Sequence, residues 1–285
     1  MLAFLISVKH PARARSYALV TDLLRSTLAS IARQTVRSIG IYVVCNEVPS
    51  WANEAREASF IEVDFPPARA PSHKGDVYEW IYRDKGSKIA VALERARRDG
   101  ATHAMVVDAD DFVSRRLAEH VLAHPDIPGW YFPDGILYSR LFKIAAVQPE
   151  FWSRCGTSHI VRTDLLPETP YLGDRPKQEE VVACFDPWVL DHVLGDHVEW
   201  RRHFAERGHT LQPLPFAGAV WQTDTGDNSS RAWFGQTRFG PVWGKPVAPE
   251  QAAEFGIPVE RRNVSASVLL HGWRVRSLVG RTLRR

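Results

Sequence analysis

Four consecutive apolar residues, Ala104-Met105-Val106-Val107, run straight into Asp108-Ala109-Asp110-Asp111. An apolar run without alternation reads as a strand covered on both faces, which is the situation of a strand inside a parallel sheet. Parallel neighbours need crossover connections, usually helical, and the first half of the chain has the pattern for them. Strands at about 3–8, 39–45 and 60–64 alternate with helical stretches at about 17–34, 51–58, 78–83 and 88–98. Such alternation argues for an α/β fold in which a mixed, mostly parallel central sheet is flanked by helices. After Pro128 the pattern changes to strands around turns at 129–133, 136–142 and 158–162, and no internal repeat is visible. The expectation is a single compact domain.

The acidic residues say what the end of that central strand can do. Side chains alternate along a strand, so Asp108 and Asp110 point the same way just past its carboxyl end, where open α/β sheets keep their ligands. Carboxylates this close repel one another, and a hard divalent cation with oxygen ligands relieves the repulsion. A cation held by one or two carboxylates completes its shell with water and substrate phosphates, so the pattern points to a metal–diphosphate substrate. The plainer alternative is that Asp110, Asp111 or Ser114 caps a helix beginning near Arg115.

Upstream, Leu24-Arg25-Ser26-Thr27-Leu28-Ala29-Ser30-Ile31-Ala32-Arg33-Gln34-Thr35 leads into Ile41-Tyr42-Val43-Val44-Cys45-Asn46. Together with the segment 90–100, the run Val107-Asp108-Ala109-Asp110-Asp111-Phe112 and the stretch Gly195-Asp196-His197-Val198-Glu199-Trp200 followed by Ala205-Glu206-Arg207-Gly208, this order of parts resembles the family-two glycosyltransferases with a GT-A, Rossmann-like fold. The resemblance spans about residues 3 to 230. It implies an inverting transfer of a sugar from a nucleoside-diphosphate donor to an acceptor hydroxyl on a glycan or lipid-linked molecule, with Mg or Mn bridging protein and diphosphate. By the same resemblance Asp110 binds the metal, Asp108 lies close to the ribose or the metal, Asp111 supports them, and His271 joins the metal shell. Residues 1–128 would form the donor half and 129–263 the acceptor and catalytic half.

Two positions depart from the family's pattern. Its second strand usually ends in Asp-Asp at the nucleobase, where this chain has Cys45-Asn46-Glu47, so Asn46 and Glu47 are the donor-binding candidates. Its Glu-Asp pair, which supplies the catalytic base, corresponds to Asp196-His197 here, leaving either residue as the base. If the segment is helical, Glu199 lies one turn from Asp196 on nearly the same side, which favours Asp196 with Glu199 as partner. Lys88, and after it Lys85, stand where the family places a basic or amide side chain near the diphosphate, at a helix start that itself attracts phosphate. The polar segment 222–231 resembles one that ends in Asn and Ser near the diphosphate. His159 and His192 are further candidates for the chemistry, and Trp152, Trp188, Trp221 and Trp233 for stacking on sugars, with core packing as the alternative role.

Two other classes use related chemistry. Sugar nucleotidyltransferases carry a glycine-rich basic loop after the first strand, whereas Val8-Lys9-His10-Pro11-Ala12-Arg13-Ala14-Arg15 has no glycine. A non-catalytic sugar-binding or scaffold protein on the same fold is the other alternative, and the departures at Cys45-Asn46 and Asp196-His197 are what favour it.

With 285 residues and a net charge of +3, nothing demands a nucleic-acid partner. The odd set Cys45, Cys155 and Cys184 lacks metal-type spacing, which fits a reducing cytoplasm. No run approaches the roughly 18 apolar residues of a membrane span. The final segment, 264–285, mixes apolar residues with Arg274, Arg276, Arg281, Arg284 and Arg285. Its reading is either a helix packed on the domain or a basic amphipathic tail in peripheral contact with the inner membrane face.

Overall fold

The computed structural model describes residues 1–67, 76–226 and 244–258, without the side chains of 76–79. His271, Trp233, the 264–285 segment and residues 227–231 of the polar loop lie outside the described residues.

Strands β1 (Leu2–Ser7), β2 (Ile39–Cys45), β3 (Ala58–Glu62) and β4 (His103–Asp108) pair in parallel in the order β3-β2-β1-β4. Helix α1 (Tyr17–Ile31) starts where the Ser16 hydroxyl accepts the Leu19 N–H, a normal N-cap. It lays Val20, Leu24, Leu28 and Ile31 on one face of the sheet, against Phe4, Ile6, Val43 and Val107. Helix α2 (Asp76–Arg98) covers the other face, packing Ile89, Leu93 and Ala96 against Ala3, Leu5, Val44 and Val106. Both faces are therefore dry, and that is why these strands are apolar throughout instead of alternating.

The chain then adds β5 (Phe112–Val113), α3 (Leu117–Ala123), β6 (Gly129–Tyr131), β7 (Asp134–Ser139), β8 (Ile144–Pro149) and β9 (His159–Arg162). The short helices α4 (Gln178–Ala183) and α5 (Pro187–Val189) follow, then a π turn at Leu190–Leu194, helix α6 (Trp200–Ala205), strands β10 (Gln212–Pro213), β11 (Ala219–Thr223) and β12 (Lys245–Pro246), and helix α7 (Pro249–Phe255). The main sheet has the order β10-β6-β9-β4-β1-β2-β3, with β9 antiparallel to both of its neighbours. A smaller sheet, β12-β8-β7-β11-β5, stands beside the end of β4. The architecture is thus mixed α/β, with a mostly parallel central sheet flanked by helices.

Several elements differ from the sequence reading. The helices expected at 78–83 and 88–98 are one continuous α2. Gly86, which reads as a break, sits inside it because a Cβ there would lie 2.2 Å from the Leu190 carbonyl oxygen. The helix expected near 51–58 is a single 3-10 turn, Ala52–Glu54. Residues 195–199 are not helical, so Asp196 and Glu199 do not share a helix face.

Candidate active site

The site begins where β4 runs out. The Asp108 N–H donates to Thr157 Oγ1 at 2.9 Å, and that hydroxyl donates in turn to Asp111 Oδ2 at 2.6 Å. Cys155 Sγ donates to the same oxygen at 3.1 Å, and the Gln222 N–H donates to Asp111 Oδ1 at 3.1 Å. Gln222 Nε2 also donates to the Asp110 carbonyl at 2.7 Å. Asp111 is buried, and its two oxygens tie β4, the 155–157 loop and β11 together. Burial, with the charges of Asp110 and Asp108, pushes its carboxyl well above the usual range in spite of those donors.

The other two carboxylates face outward from that anchor. Lys85 Nζ, on α2, donates to Asp108 Oδ1 at 2.6 Å. Burial pushes the Asp108 carboxyl up, but the Lys85 charge and hydrogen bond, with a contribution from His197, outweigh it and hold the group below its ordinary value. Gly156 seals this pair, since a Cβ on it would lie 2.6 Å from Asp108 Oδ2 and 2.8 Å from Lys85 Nζ. Asp110 is half-buried and, its own backbone N–H apart, its carboxylate makes no hydrogen bond among the described residues. Its burial, and next the negative Asp108, push its carboxyl up to about 7.

Lys88 behaves differently from Lys85. Fully buried, it donates to the Val8 carbonyl at 2.8 Å and to Asp84 Oδ2 at 3.0 Å. It fastens α2 to the end of β1, so the lysine that reaches the strand-end acids is Lys85, reversing the order read from the sequence.

Asp196 and His197 arrive by a close crossing of backbones. A Cβ on Gly195 would meet the Tyr82 carbonyl oxygen at 2.2 Å, and one on Gly86 would meet Gly195 N at 3.2 Å. These two glycines let the 195–199 turn lie directly on α2, beside Lys85. Trp200 pins the turn by donating its indole N–H to the Val193 carbonyl at 2.6 Å and the Asp196 carbonyl at 2.9 Å. His197 Nδ1 stands 3.2 Å from Asp196 Oδ1. Burial raises the Asp196 carboxyl, but the His197 hydrogen bond and charge, and more weakly Lys85, bring it below its ordinary value. The Nε2 atoms of His197 and His159 are both buried without a hydrogen-bond partner. Burial first, then the His197 and Arg201 charges, drive the His159 imidazole well below its usual range, so it is neutral. Glu199 does not join Asp196: its carboxylate pairs with Arg202 at 2.7 Å.

Asn46 and Glu47 follow β2 on the same edge of the sheet. Asn46 Nδ2 donates to the Phe65 carbonyl at 2.8 Å, leaving its buried Oδ1 without a partner. Glu47 is exposed, and its carbonyl accepts the Tyr17 hydroxyl at 2.5 Å. His192 sits apart, against Trp188 and Tyr82, and Trp221 packs at the core edge.

Two groupings could hold a cation. Asp108, Asp111 and Cys155 offer ligand atoms within 4.8 Å of one another. Asp111 is already saturated by three donors, however, and burial, followed by the Asp111 charge, raises the Cys155 thiol so that it keeps its proton. That grouping does not fit a hard cation. Asp110, whose carboxyl burial and the Asp108 charge push up, is the group whose repulsion a cation would relieve.

No family model matches the chain and no curated protein matches it. Among solved structures it is similar to S. aureus TarS 1–349 in complex with UDP-GlcNAc, at 13% identity and a TM-score of 0.43, over 81% of this chain and 61% of that one. It is also similar to the mannosyltransferase PcManGT from Pyrobaculum calidifontis in complex with GDP-Man and Mn2+, at 12% identity and a TM-score of 0.39, over 77% of this chain and 56% of that one. The chain spans less than two thirds of either protein's length. The strand-end carboxylates, Lys85 and the Asp196–His197 pair were all singled out in the sequence. Gly86, Gly156, Thr157 and Gly195 were not, because what makes them matter is a close approach between segments far apart in the chain.

Proposed function

We propose that this chain is a glycosyltransferase that moves a sugar, with inversion, from a nucleoside-diphosphate donor to an acceptor hydroxyl, aided by Mg or Mn at Asp110 and Asp108. The observation that carries the reading is the convergence on one sheet edge of a cation, Lys85, two outward carboxylates, Asp108 and Asp110, and an ionised carboxylate from the opposite side, Asp196. A bound divalent ion would supply charge neutralisation for the departing diphosphate. Lys85 adds a fixed positive charge at the same place, next to where negative charge develops. Asn46, with its free Oδ1, and Glu47 stand where a nucleobase or ribose would lie.

Asp196 takes the proton from the acceptor hydroxyl as it attacks the anomeric carbon in a single displacement. The His197 bond keeps that carboxylate ionised and oriented. His197 Nε2 is sealed from solvent, which leaves the carboxylate, not the imidazole, to meet the acceptor. The acceptor belongs to a glycan or a lipid-linked molecule. The 264–285 segment would provide peripheral contact with the cytoplasmic face of a membrane. No helix among the described residues is long and apolar enough to cross one.

Release of nucleoside diphosphate from a panel of sugar nucleotides with Mn tests the reading. Transferases slowly hydrolyse their donor without acceptor, and a non-catalytic sugar-binding protein does not. Asp196→Asn is expected to lose transfer by about 100- to 10,000-fold, the usual contribution of a general base, while binding donor and metal normally. His197→Asn should lose much less. An inactive His197→Asn beside an active Asp196→Asn, with equal donor affinity, would give the proton to the imidazole instead.

A further inference from the structure

Arg201, the second residue of α6, is held in an unusual way. Its guanidinium carbon lies 4.0 Å from the centre of the Tyr131 ring and 4.6 Å from that of Trp152. Among the described residues no carboxylate pairs with it, whereas its neighbour Arg202 pairs with Glu199 and more loosely with Glu206. Contact with two aromatic rings holds the planar cation in place, and none of its five N–H donors makes a hydrogen bond among the described residues. Arg201, Tyr131 and Trp152 are each only half-buried, so the edge of the guanidinium is within reach of a ligand.

The position matters as much as the chemistry. Tyr131 ends β6 and pairs with His159, which begins β9, and Ile160 pairs with Met105 of β4. Tyr131, His159 and Asp108 therefore lie along one edge of the sheet, with Tyr131 two strands from β4. Two strand spacings amount to roughly 10 Å, enough to seat a sugar between the strand-end acids and the guanidinium. Between them, on the β9 strand, stands the neutral His159, which offers no counter-charge. Arg201 also follows Asp196 by five residues, on the side of the site that the acceptor must approach.

We propose that Arg201, clamped between Tyr131 and Trp152, recognises an oxyanion on the acceptor, so that the acceptor is a phosphate- or carboxylate-bearing molecule and not a neutral glycan. A planar fork presents two parallel N–H donors to two oxygens, the geometry both of these groups share. The inference rests on the reading of Asp108, Asp110 and Lys85 as the donor end, since that reading makes the Arg201 side the acceptor end.

The test is saturation-transfer NMR on the full chain with glycerol 3-phosphate, glucuronate and, as neutral control, glucose. It is run with and without saturating Mn and nucleoside diphosphate, so that the donor's own phosphate sites are filled in one arm. The wild type is expected to bind at least one anionic probe in both arms and to prefer it over glucose. The tighter of the two identifies the group as phosphate or carboxylate. Arg201→Gln should weaken that probe at least ten-fold without changing Mn–nucleotide binding. Should Arg201→Gln not fold, Arg201→Lys, which keeps the charge and loses the fork, is measured in its place and should weaken the probe at least three-fold. Equal binding by wild type and variant, or no anionic binding by the wild type, overturns the proposal. Failure of Mn and nucleotide to bind the wild type overturns the donor-site reading instead, and the nucleotide-free arm then still reports on Arg201.

Discussion

Three adjacent acids do three different things. Asp111 is a buried anchor, Asp108 is neutralised by Lys85, and Asp110, among the described residues, has no side-chain ion pair of its own. A protonated Asp110 cannot bind a metal, so proton and cation compete for it. With its carboxyl raised to about 7 by burial and by Asp108, Mn affinity is expected to rise as pH increases from 5.5 to about 7 and then level off, with uptake of metal releasing a proton. The same shift has a consequence for stability. The folded value lies above that of an unfolded Asp, about 3.9, so the native state holds the extra proton between about 4 and about 7, and this group's contribution to stability falls as pH rises through that window. Asp110→Asn should abolish the pH dependence, weaken Mn binding sharply and leave the protein at least as stable at pH 8. Calorimetric Mn titrations at several pH values check the first two, and thermal unfolding at pH 8 checks the third. The acids themselves were legible in the sequence as a cluster at the end of an apolar strand, and β4 does end at Asp108. The role of Asp111 was not, because its partners Cys155, Thr157 and Gln222 lie 44, 46 and 111 residues away.

At the level of elements, the crossing of α2 over the 190–199 segment decides whether the two ends of the site meet. The sequence reads Lys85-Gly86-Ser87-Lys88 as a gap between two helices, which is the reasonable inference from a glycine in an otherwise helical pattern. The glycine is there for close approach, since it removes a side chain where the Leu190 carbonyl comes in. Gly86→Ala forces the two backbones apart, and such overpacking typically costs about 1–3 kcal/mol. Thermal unfolding should show that loss, and transfer should fall by more than the stability change explains, because Asp196 moves away from Lys85 and Asp108. Gly100→Ala, at a position with open space but a φ of +80°, is the control: it should cost stability alone. The short turn at 195–199 was expected to be helical because the segment resembles the family's acidic helix. What prevents the helix is Trp200, whose indole N–H captures the Val193 and Asp196 carbonyls.

Across the whole molecule, legibility follows the packing. The parallel half, β1 to β4, was readable because strands dry on both faces give unbroken apolar runs, and β2 has the bounds that the sequence suggests. The second half mixes short strands, two to six residues long and paired both parallel and antiparallel, in two sheets, and so few residues carry little periodicity. The reversal of β9 and the smaller sheet had no local signature. Helix α7 closes the far side of that sheet: Glu254 accepts from Arg116 Nε at 2.8 Å and from the Ser114 hydroxyl. The 264–285 segment that follows carries the membrane proposal. Co-sedimentation with anionic vesicles should be lost when it is deleted, and equal, negligible binding with and without it would remove that role.

In the proposed function Asp110 and Asp108 hold a divalent ion together with a nucleoside diphosphate. Ligand that binds only the folded state raises the melting temperature by mass action, so thermal unfolding with a panel of nucleoside diphosphates, with and without Mn, tests the claim directly. The expected result is a rise with one nucleotide that requires Mn, disappears in Asp110→Asn and persists in Asp196→Asn. No rise with any nucleotide, or the same rise without Mn and in Asp110→Asn, would contradict it.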